Sequence, residues 1–217
     1  LYLLSQGKVA RFDLYREKFS LISGKDVRSI FCEKDTLWMA CKDGIYCYTE
    51  KEKNTSLFFR FPKTLLQASR LYAGNDTIWA LNSTYLTAIP RKNPSQWKKL
   101  FTFHRGNTQC LFVDKRQNIW VGSWSGVYRL SPSRKTSHYT SQTGEVSDNQ
   151  IRCILEDDAG DIWFGTFKGL DCYHPKSDTW SHYTEYGDSP NTLSHSSILA
   201  LHKDRDGNIW AGTYFGG

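Results

Sequence analysis

Residues 154–173 read ILEDDAGDIWFGTFKGLDCY, a sequence in which short apolar runs are separated by turn residues. Apolar and polar residues alternate before residue 157, which is typical of a β-strand. Residues 157–161 have the composition of a tight turn, because Asp opens turns through its side chain and Gly supplies a positive φ. Residues 162–166 and 170–173 read as two further strands around a hairpin at Gly169. The stretch therefore predicts three antiparallel strands joined by two tight turns.

The same pattern recurs along the whole chain. Each copy is anchored by an apolar residue followed by an aromatic one. The anchors are Leu1-Tyr2, Leu37-Trp38, Ile78-Trp79, Ile119-Trp120, Ile162-Trp163 and Ile209-Trp210. The aromatic positions are 36, 41, 41, 43 and 47 residues apart, close to the roughly 40–50 residues of a propeller blade. The repeat predicts an all-β fold, a β-propeller of four-stranded blades with about five repeat units.

Further columns keep register with the anchor. An Asp stands six residues before the Trp in the last three copies, at Asp114, Asp157 and Asp204. A Gly follows the Trp by six residues in most copies, and the copy around Trp79 is degenerate because Tyr85 takes that place. These columns predict one turn after the first strand and one hairpin after the second.

The repeat also predicts the domain boundaries. We expect a partial blade at residues 1–22 and another at 194–217, with full units between them. The full units are predicted at about 23–65, 66–105, 106–146 and 147–193. Because five periods are too few for a seven-bladed ring, residues 1–217 are expected to be one fragment of a propeller. Unpaired edge strands would favour association, so a homodimer is a possible partner arrangement.

Composition and charge exclude several classes of protein. Hydrophobic residues make up 39% and charged residues 23% of the 217, as in globular proteins. The net charge of +6 is concentrated in residues 1–107, which hold 18 Lys or Arg against 9 Asp or Glu. The basic residues are scattered instead of clustered, which favours a solvated surface over a nucleic-acid site. No apolar run is long enough to span a membrane.

The pattern from Ile154 to Tyr173 resembles the two-component regulator propeller repeat, and residues 147–151 resemble the stretch before that repeat's first strand. Residues 109–217 match best, residues 27–89 loosely, and residues 1–22 only as a tail. In that family the repeats build seven-bladed propellers, often two in series. They form the periplasmic half of hybrid sensor kinases that respond to oligosaccharides.

The resemblance implies a function and a set of partners. The chain would be a periplasmic sensor fragment of a two-component histidine kinase that controls polysaccharide-utilisation genes. It would have no phosphotransfer of its own, and it would pack against the remaining blades or a second propeller of the parent chain. The membrane would be reached only through segments outside these residues, and no nucleic acid would bind to this fragment.

One column suggests where a ligand binds. Four residues after the anchor Trp, three consecutive copies carry a large aromatic residue at the tip of the second hairpin, namely Trp124, Phe167 and Tyr214. In a propeller these tips share a face with the connectors at residues 145–150 and 193–197. Exposed rings beside polar groups suit a sugar, because its C–H face can stack while its hydroxyls form hydrogen bonds.

Two basic residues complete the predicted site. Lys168 would add positive charge for an acidic sugar, and Arg152 lies on the first strand of the same unit. The predicted ligand-binding residues are Trp124, Phe167, Lys168, Tyr214 and Arg152. The competing interpretation is that the aromatic rings pad the interface between blades.

Signals for other chemistry are weak. Residues 204–208 resemble the start of a calcium loop, but the twelfth position is Phe215 instead of a carboxylate. The six His show no metal-ligand spacing, and no nucleophile elbow or phosphate loop is present. We therefore predict no cofactor, no metal and no catalytic residue.

The cysteines fall into repeat columns, which favours a role as small buried filler. Cys110 and Cys153 share a column with Ala200, and Cys47 shares another with Cys172. A periplasmic setting would permit disulfides, and Cys41 with Cys47 is the only local candidate.

Two other functions stay open at this point. A protein-interaction scaffold is compatible with the spacing, although the Trp-Asp ending and Gly-His opening of the WD repeat are missing. A propeller lyase or glycosidase would need convergent His, Tyr and carboxylate groups, and glycoside cleavage needs two facing carboxylates. The identity of the ligand, the number of blades, the closure of the ring and the oligomeric state are not predicted.

Overall fold

The structure is a computed structural model that describes residues 1–63, 68–103, 107–186 and 192–216. It divides into two compact units, residues 1–104 and residues 105–217. Each unit consists of antiparallel sheets in which every strand pairs with the next along the chain. Within the described residues, no helix has the length and apolar character needed to cross a membrane.

The first unit contains three sheets. The opening sheet has three strands, β1 (Tyr2–Ser5), β2 (Lys8–Asp13) and β3 (Lys18–Ser23). The second has four, β4 (Val27–Glu33), β5 (Thr36–Cys41), β6 (Gly44–Thr49) and β7 (Asn54–Arg60). The third has β8 (Arg70–Ala73), β9 (Thr77–Leu81), β10 (Tyr85–Pro90) and β11 (Lys98–Thr102), with a single 3-10 turn at Pro94–Gln96.

The second unit also contains three sheets. The first has β12 (Thr108–Val113), β13 (Ile119–Ser123), β14 (Gly126–Leu130) and β15 (Thr136–Tyr139). The next has β16 (Ile151–Glu156), β17 (Ile162–Thr166), β18 (Leu170–His174) and β19 (Thr179–Tyr183). The last consists of β20 (Ile198–Lys203) and β21 (Ile209–Thr213). Among the described strands, β3 alone crosses a predicted repeat boundary, ending at residue 23, one residue past the boundary at 22.

The Asp column has a structural cause. Asp114 accepts the backbone N–H of Asn118 at 2.7 Å through one oxygen and the indole N–H of Trp120 at 2.8 Å through the other. The same indole bond joins Asp157 to Trp163 and Asp204 to Trp210. Each Asp therefore ties the turn after a first strand to the anchor Trp of the second strand.

The first unit departs from this arrangement. Cys32 stands where the column has Asp, and the indole nitrogen of Trp38 is buried with no hydrogen-bond partner among the described residues. The guanidinium of Arg91 lies 5.0 Å from the Trp38 ring, in a cation–π contact. Trp38 is therefore held by packing and by the cation–π contact.

A side-chain oxygen also stabilises the hairpin after the second strand by accepting a backbone N–H. Ser123 and Thr166 accept a backbone N–H from two residues further on, at 3.0 and 3.2 Å, and Thr213 accepts that of Gly216 at 3.0 Å. In the degenerate copy, the Asn82 side chain accepts the N–H groups of both Thr84 and Tyr85. The degenerate copy therefore keeps the side-chain acceptor of this column although it lacks the glycine, because Asn stabilises tight turns by the same bonding.

Adjacent sheets of the second unit pack through glycines. Strand β16 contacts both β12 and β20, so successive first strands lie side by side. A Cβ at Gly122 would meet the Cys110 thiol on its own sheet and the Ile151 side chain on the next. These glycines let the next sheet approach closely, which explains the column of small residues two places after the Trp.

The local candidate pair Cys41 and Cys47 does not form a disulfide. All six cysteines are free thiols. Cys47 lies opposite Trp38 in the β5–β6 pair, whereas Cys41 lies at the end of β5 opposite Val27 on β4. Strands β5 and β6 pair directly, but Cys41 lies three residues along β5 from Trp38, the partner of Cys47, so the two side chains point to opposite faces of the sheet and do not meet.

Gln117 adopts a strained backbone conformation in the turn after β12. Its φ is +65°, while the matching positions are Gly160 and Gly207, with φ of +85° and +86°. Because a side chain disfavours the left-handed region, Gln117→Gly is expected to raise the free energy of unfolding by about 0.5–1 kcal/mol. Urea unfolding would measure it. Gly160→Gln is the matched reverse change, and a loss of stability in Gln117→Gly would contradict the prediction.

Candidate functional site

The second unit contains a cavity of about 800 Å³. Its walls come from the hairpin tips after β17 and β21, the connectors before β16 and β20, and the segment after β19. We call it the aromatic cavity, because four rings line it: Phe167, Tyr186, Tyr214 and Phe215. Small-molecule sites measure roughly 300–1,000 Å³, so the volume suits a ligand of that class.

The rings of the cavity are exposed yet held in place. Tyr214 and Phe215 meet edge to face with centroids 4.3 Å apart, and Phe215 meets the His195 ring at 5.7 Å. The guanidinium of Arg152 lies 5.0 Å from the centre of the Phe167 ring. Tyr186 is 79% exposed and Tyr214 59% exposed. The cavity therefore offers flat apolar surface that a ligand could cover.

Reciprocal hydrogen bonds join the two polar segments of the wall. Glu185 accepts the backbone N–H of Ser196 at 2.8 Å, and the Ser196 hydroxyl accepts that of Glu185 at 3.0 Å. Bonds from the Tyr186 side chain and from the Ser196 backbone lower the pKa of the Glu185 carboxyl. The carboxylate is therefore charged at neutral pH and faces the cavity as an acceptor.

The connector before β20 is fixed in the same way. The His195 ring nitrogen Nδ1 accepts the backbone N–H of Ser197 at 3.0 Å, so the proton of a neutral ring lies on Nε2. Arg152 donates to the Ser197 hydroxyl at 2.9 Å. This bond places the guanidinium between the connector and the Phe167 ring.

The connector before β16 is held by a buried carboxylate. Asp171 is fully buried and accepts the backbone N–H of Ser147 at 2.9 Å and its hydroxyl at 2.5 Å. It also bonds the His182 ring at 2.8 Å. Burial raises the pKa of Asp171, while these hydrogen bonds act in the opposite direction. Ser147 lines the cavity, so Asp171 sets the position of one wall.

The structure brings four of the five predicted site residues together. Phe167, Lys168 and Tyr214 line the aromatic cavity, and Arg152 lies against Phe167. Trp124 is 57% exposed on the preceding hairpin, where its backbone N–H bonds Asn107, and it does not line the cavity. The binding role of all five stays a prediction.

Sequence reasoning missed much of the wall. Glu185 and Tyr186 follow the fourth strand, where the repeat has no column, so no signal pointed to them. Phe215 enters the sequence pattern only as the twelfth position of the stretch that resembles a calcium loop. His195 lies in the connector at residues 193–197, which the hairpin geometry already placed on this face.

Two segments of the chain match the family model described as two component regulator propeller, at residues 145–168 and 192–215. These segments contain most of the cavity wall, including Phe167, Lys168, His195 and Tyr214. A comparison with curated protein sequences finds no match.

Solved structures show the fold. The extracellular domain of the hybrid two component system BT4673 from B. thetaiotaomicron is 22% identical, with a TM-score of 0.76 over 98% of this chain. This chain spans 30% of the length of that domain. A chain of the nidogen/laminin complex (11% identity, TM-score 0.70) aligns over 98% of this chain and 84% of its own length. The gluconolactonase XC5397 of Xanthomonas campestris (11% identity, TM-score 0.66) aligns over 96% of this chain and 76% of its own.

These structures include a gluconolactonase and proteins whose names state no enzyme activity, so the fold alone does not assign an activity. They confirm the predicted fold class, and the match to the family model confirms the predicted repeat type. The chain has a β-propeller fold, and residues 145–168 and 192–215 match the two component regulator propeller repeat.

Proposed function

We propose that this chain is part of the extracytoplasmic sensor region of a hybrid two-component system and that it binds an oligosaccharide without catalysis. The repeat type and the likeness to an extracellular domain of such a system support the sensor role. The aromatic cavity supports the ligand class. The periplasm would be its location, and the parent protein would be the histidine kinase.

The observation that carries the proposal is the combination of rings and hydrogen-bonding groups in one cavity. Phe167 and Tyr214 offer ring faces for the C–H surface of a sugar. Glu185 accepts hydrogen bonds, and Lys168 and the ring Nε2 of His195 donate them. A ligand with many hydroxyls can bond these polar groups and also cover the rings, whereas a purely apolar ligand would use the rings alone.

Signalling would require that the ligand prefers one of two arrangements of its surroundings. The cavity joins the β16–β19 sheet to the β20–β21 sheet through the Glu185–Ser196 bonds. A sugar that contacts both Phe167 and Tyr214 would favour one separation of these sheets. The change would then pass to the remaining blades, to a second propeller of the parent chain, or to a second copy in a homodimer.

Binding is tested by calorimetric titration of the chain with a panel of plant and host oligosaccharides. For a glycan that binds, Phe167→Ala and Tyr214→Ala should each weaken the affinity about tenfold, which is about 1.4 kcal/mol. Trp124→Ala is the matched control, since it removes an exposed ring of the same column outside the cavity, and its affinity should stay within about twofold.

Three results would contradict the proposal. One is a folded chain that binds no glycan in the panel. Another is a Trp124→Ala variant that loses binding while Tyr214→Ala keeps it. The third is release of shortened products from a bound glycan, which would indicate a propeller enzyme.

A further inference from the structure

A carboxylate, a thiol and an imidazole meet beside strands β17 and β18, away from the residues that line the aromatic cavity. The Asp161 carboxylate lies 2.8 Å from Nδ1 of His174, and the Cys172 sulfur lies 3.9 Å from the same nitrogen. The three donor atoms all lie within 4.8 Å of one another. Tetrahedral zinc with bonds of about 2.0–2.3 Å separates its ligand atoms by about 3.3–3.8 Å, so small shifts would suffice.

The His174 ring is oriented from its far side. Its Nε2 lies 2.9 Å from the Ser181 hydroxyl on the neighbouring strand β19. Metal-ligating histidines usually bond a polar group through the second ring nitrogen, which fixes the ring and directs the first nitrogen at the metal. Ser181 meets this requirement and leaves Nδ1 directed toward Asp161 and Cys172.

Comparison between repeats sets this cluster apart. Asp161 matches Asn118 and Asn208, whose side-chain amides donate to the turn aspartates Asp114 and Asp204 at 2.8 and 2.9 Å. A carboxylate cannot donate such a bond to Asp157, and Asp161 bonds His174 instead. Of the three turns with the Asp column, the one at residues 157–161 therefore lacks this hydrogen bond.

The other two positions also differ between repeats. Cys172 lies opposite the anchor Trp163, where the β13–β14 pair has Arg129 and the β5–β6 pair has Cys47. Two residues after each of these stand His174, Ser131 and Thr49, respectively. Among the four-stranded sheets that the structure describes with this register, only β16–β19 combines all three ligand types.

Local charge favours a cation. Cys172 is buried, and the carboxylates of Asp161, Asp157 and Asp171 surround it. The same carboxylates attract a dication, which would displace the thiol proton on binding. Thiolate and imidazole ligands suit zinc and its borderline neighbours better than magnesium or calcium, which prefer oxygen.

We propose that Asp161, Cys172 and His174 form a binding site for a zinc-class divalent ion, with water in the fourth position. Asp161 and His174 are half-buried, so an ion can enter from the solvent side while Cys172 closes the inner side. The proposal is independent of the oligosaccharide ligand. It assigns the ion a structural role that joins the turn after β16 to strands β18 and β19.

Cobalt(II) is the probe for this site. The chelator-treated chain is titrated with cobalt, and we expect one equivalent to produce a thiolate-to-cobalt charge-transfer band and visible bands of tetrahedral cobalt. Zinc should displace the cobalt and raise the melting temperature of the chain. Cys172→Ser should lose the charge-transfer band, and Asp161→Asn should weaken binding at least tenfold. Asp161→Asn restores the residue type of the other repeats, so it is expected to fold.

Cys47→Ser is the matched control, since it removes the thiol of the same column in another sheet, and it should leave the spectrum unchanged. Far-UV circular dichroism checks the fold of each variant. The proposal is overturned if no charge-transfer band appears, if the band survives in Cys172→Ser, or if Cys47→Ser abolishes it. It is also overturned if Asp161→Asn folds and binds cobalt as tightly as the unchanged chain.

Discussion

Gly165→Ala is expected to lower the free energy of unfolding by about 3 kcal/mol. An added Cβ would overlap the Cys153 sulfur on the same sheet and lie 2.7 Å from the Ile198 side chain on the next. Ile198 is fully buried, so neither neighbour can move away without separating the β16–β19 sheet from β20. Urea unfolding followed by tryptophan fluorescence would measure the loss.

Gly212→Ala is the matched control, because Gly212 holds the same column in the last sheet. A Cβ there would meet its nearest neighbour, the Ala200 side chain, at 3.8 Å, which is ordinary contact. Its effect should stay within about 0.5 kcal/mol. Adding Cys153→Ala to Gly165→Ala should recover part of the loss, because it removes one of the two obstacles. Equal losses in Gly165→Ala and Gly212→Ala would show that close approach is not the reason for the glycine.

The glycine column shows how far the sequence predicts this fold. Its period, together with the anchor Trp and the turn residues, predicts four-stranded sheets, because a repeated unit must place equivalent residues equivalently. The physical reason for the column was not predictable. The reason is that Gly122 and Gly165 each pack against an isoleucine of the next repeat, Ile151 and Ile198, respectively. A contact between two neighbouring repeats leaves no recognisable spacing pattern within either repeat.

The aromatic cavity was predictable only in part. The hairpin column pointed to Phe167 and Tyr214, because residues of one column share one face of the sheets. It also pointed to Trp124, because a periodic pattern treats every copy alike. The cavity forms where Glu185 and Tyr186 lie beside the hairpin tips after β17 and β21. Glu185 and Tyr186 belong to no column of the repeat. The residues that distinguish this cavity are therefore those that depart from the repeat pattern, and the period alone does not predict them.

The sequence pattern does not predict the Asp161–Cys172–His174 cluster, for the same reason. The positions have no metal-motif spacing, and each looks like an ordinary exception within its own column. Only the strand register brings Cys172 opposite Trp163 and places His174 beside the turn. Three residues that each depart from their own repeat column are therefore seen to lie together once the strand pairing is known.

Asp114→Ala is expected to cost about 3 kcal/mol, the second large effect in the chain. Asp114 is buried and accepts the Asn118 backbone, the Asn118 side chain and the indole of Trp120, which is fully buried. Alanine would leave the indole N–H and the turn N–H without partners away from water, and each such group costs about 1–3 kcal/mol. Asp114→Asn keeps the size of the side chain and should lose less. Urea unfolding would compare the two variants.

Asp204→Ala separates the hydrogen bond from its surroundings. Asp204 makes the same three bonds to Asn208 and Trp210, but Trp210 is 63% exposed. Water can replace the lost acceptor there, so the loss should be less than half of that in Asp114→Ala. Equal losses in the two variants would mean that the Asp column stabilises each turn by its local geometry. A larger loss at Asp114 would mean that burial of the Trp indole makes the carboxylate necessary. Trp38 is a buried anchor whose indole N–H has no acceptor among the described residues, so a larger loss at Asp114 would hold for that turn and not for every buried anchor.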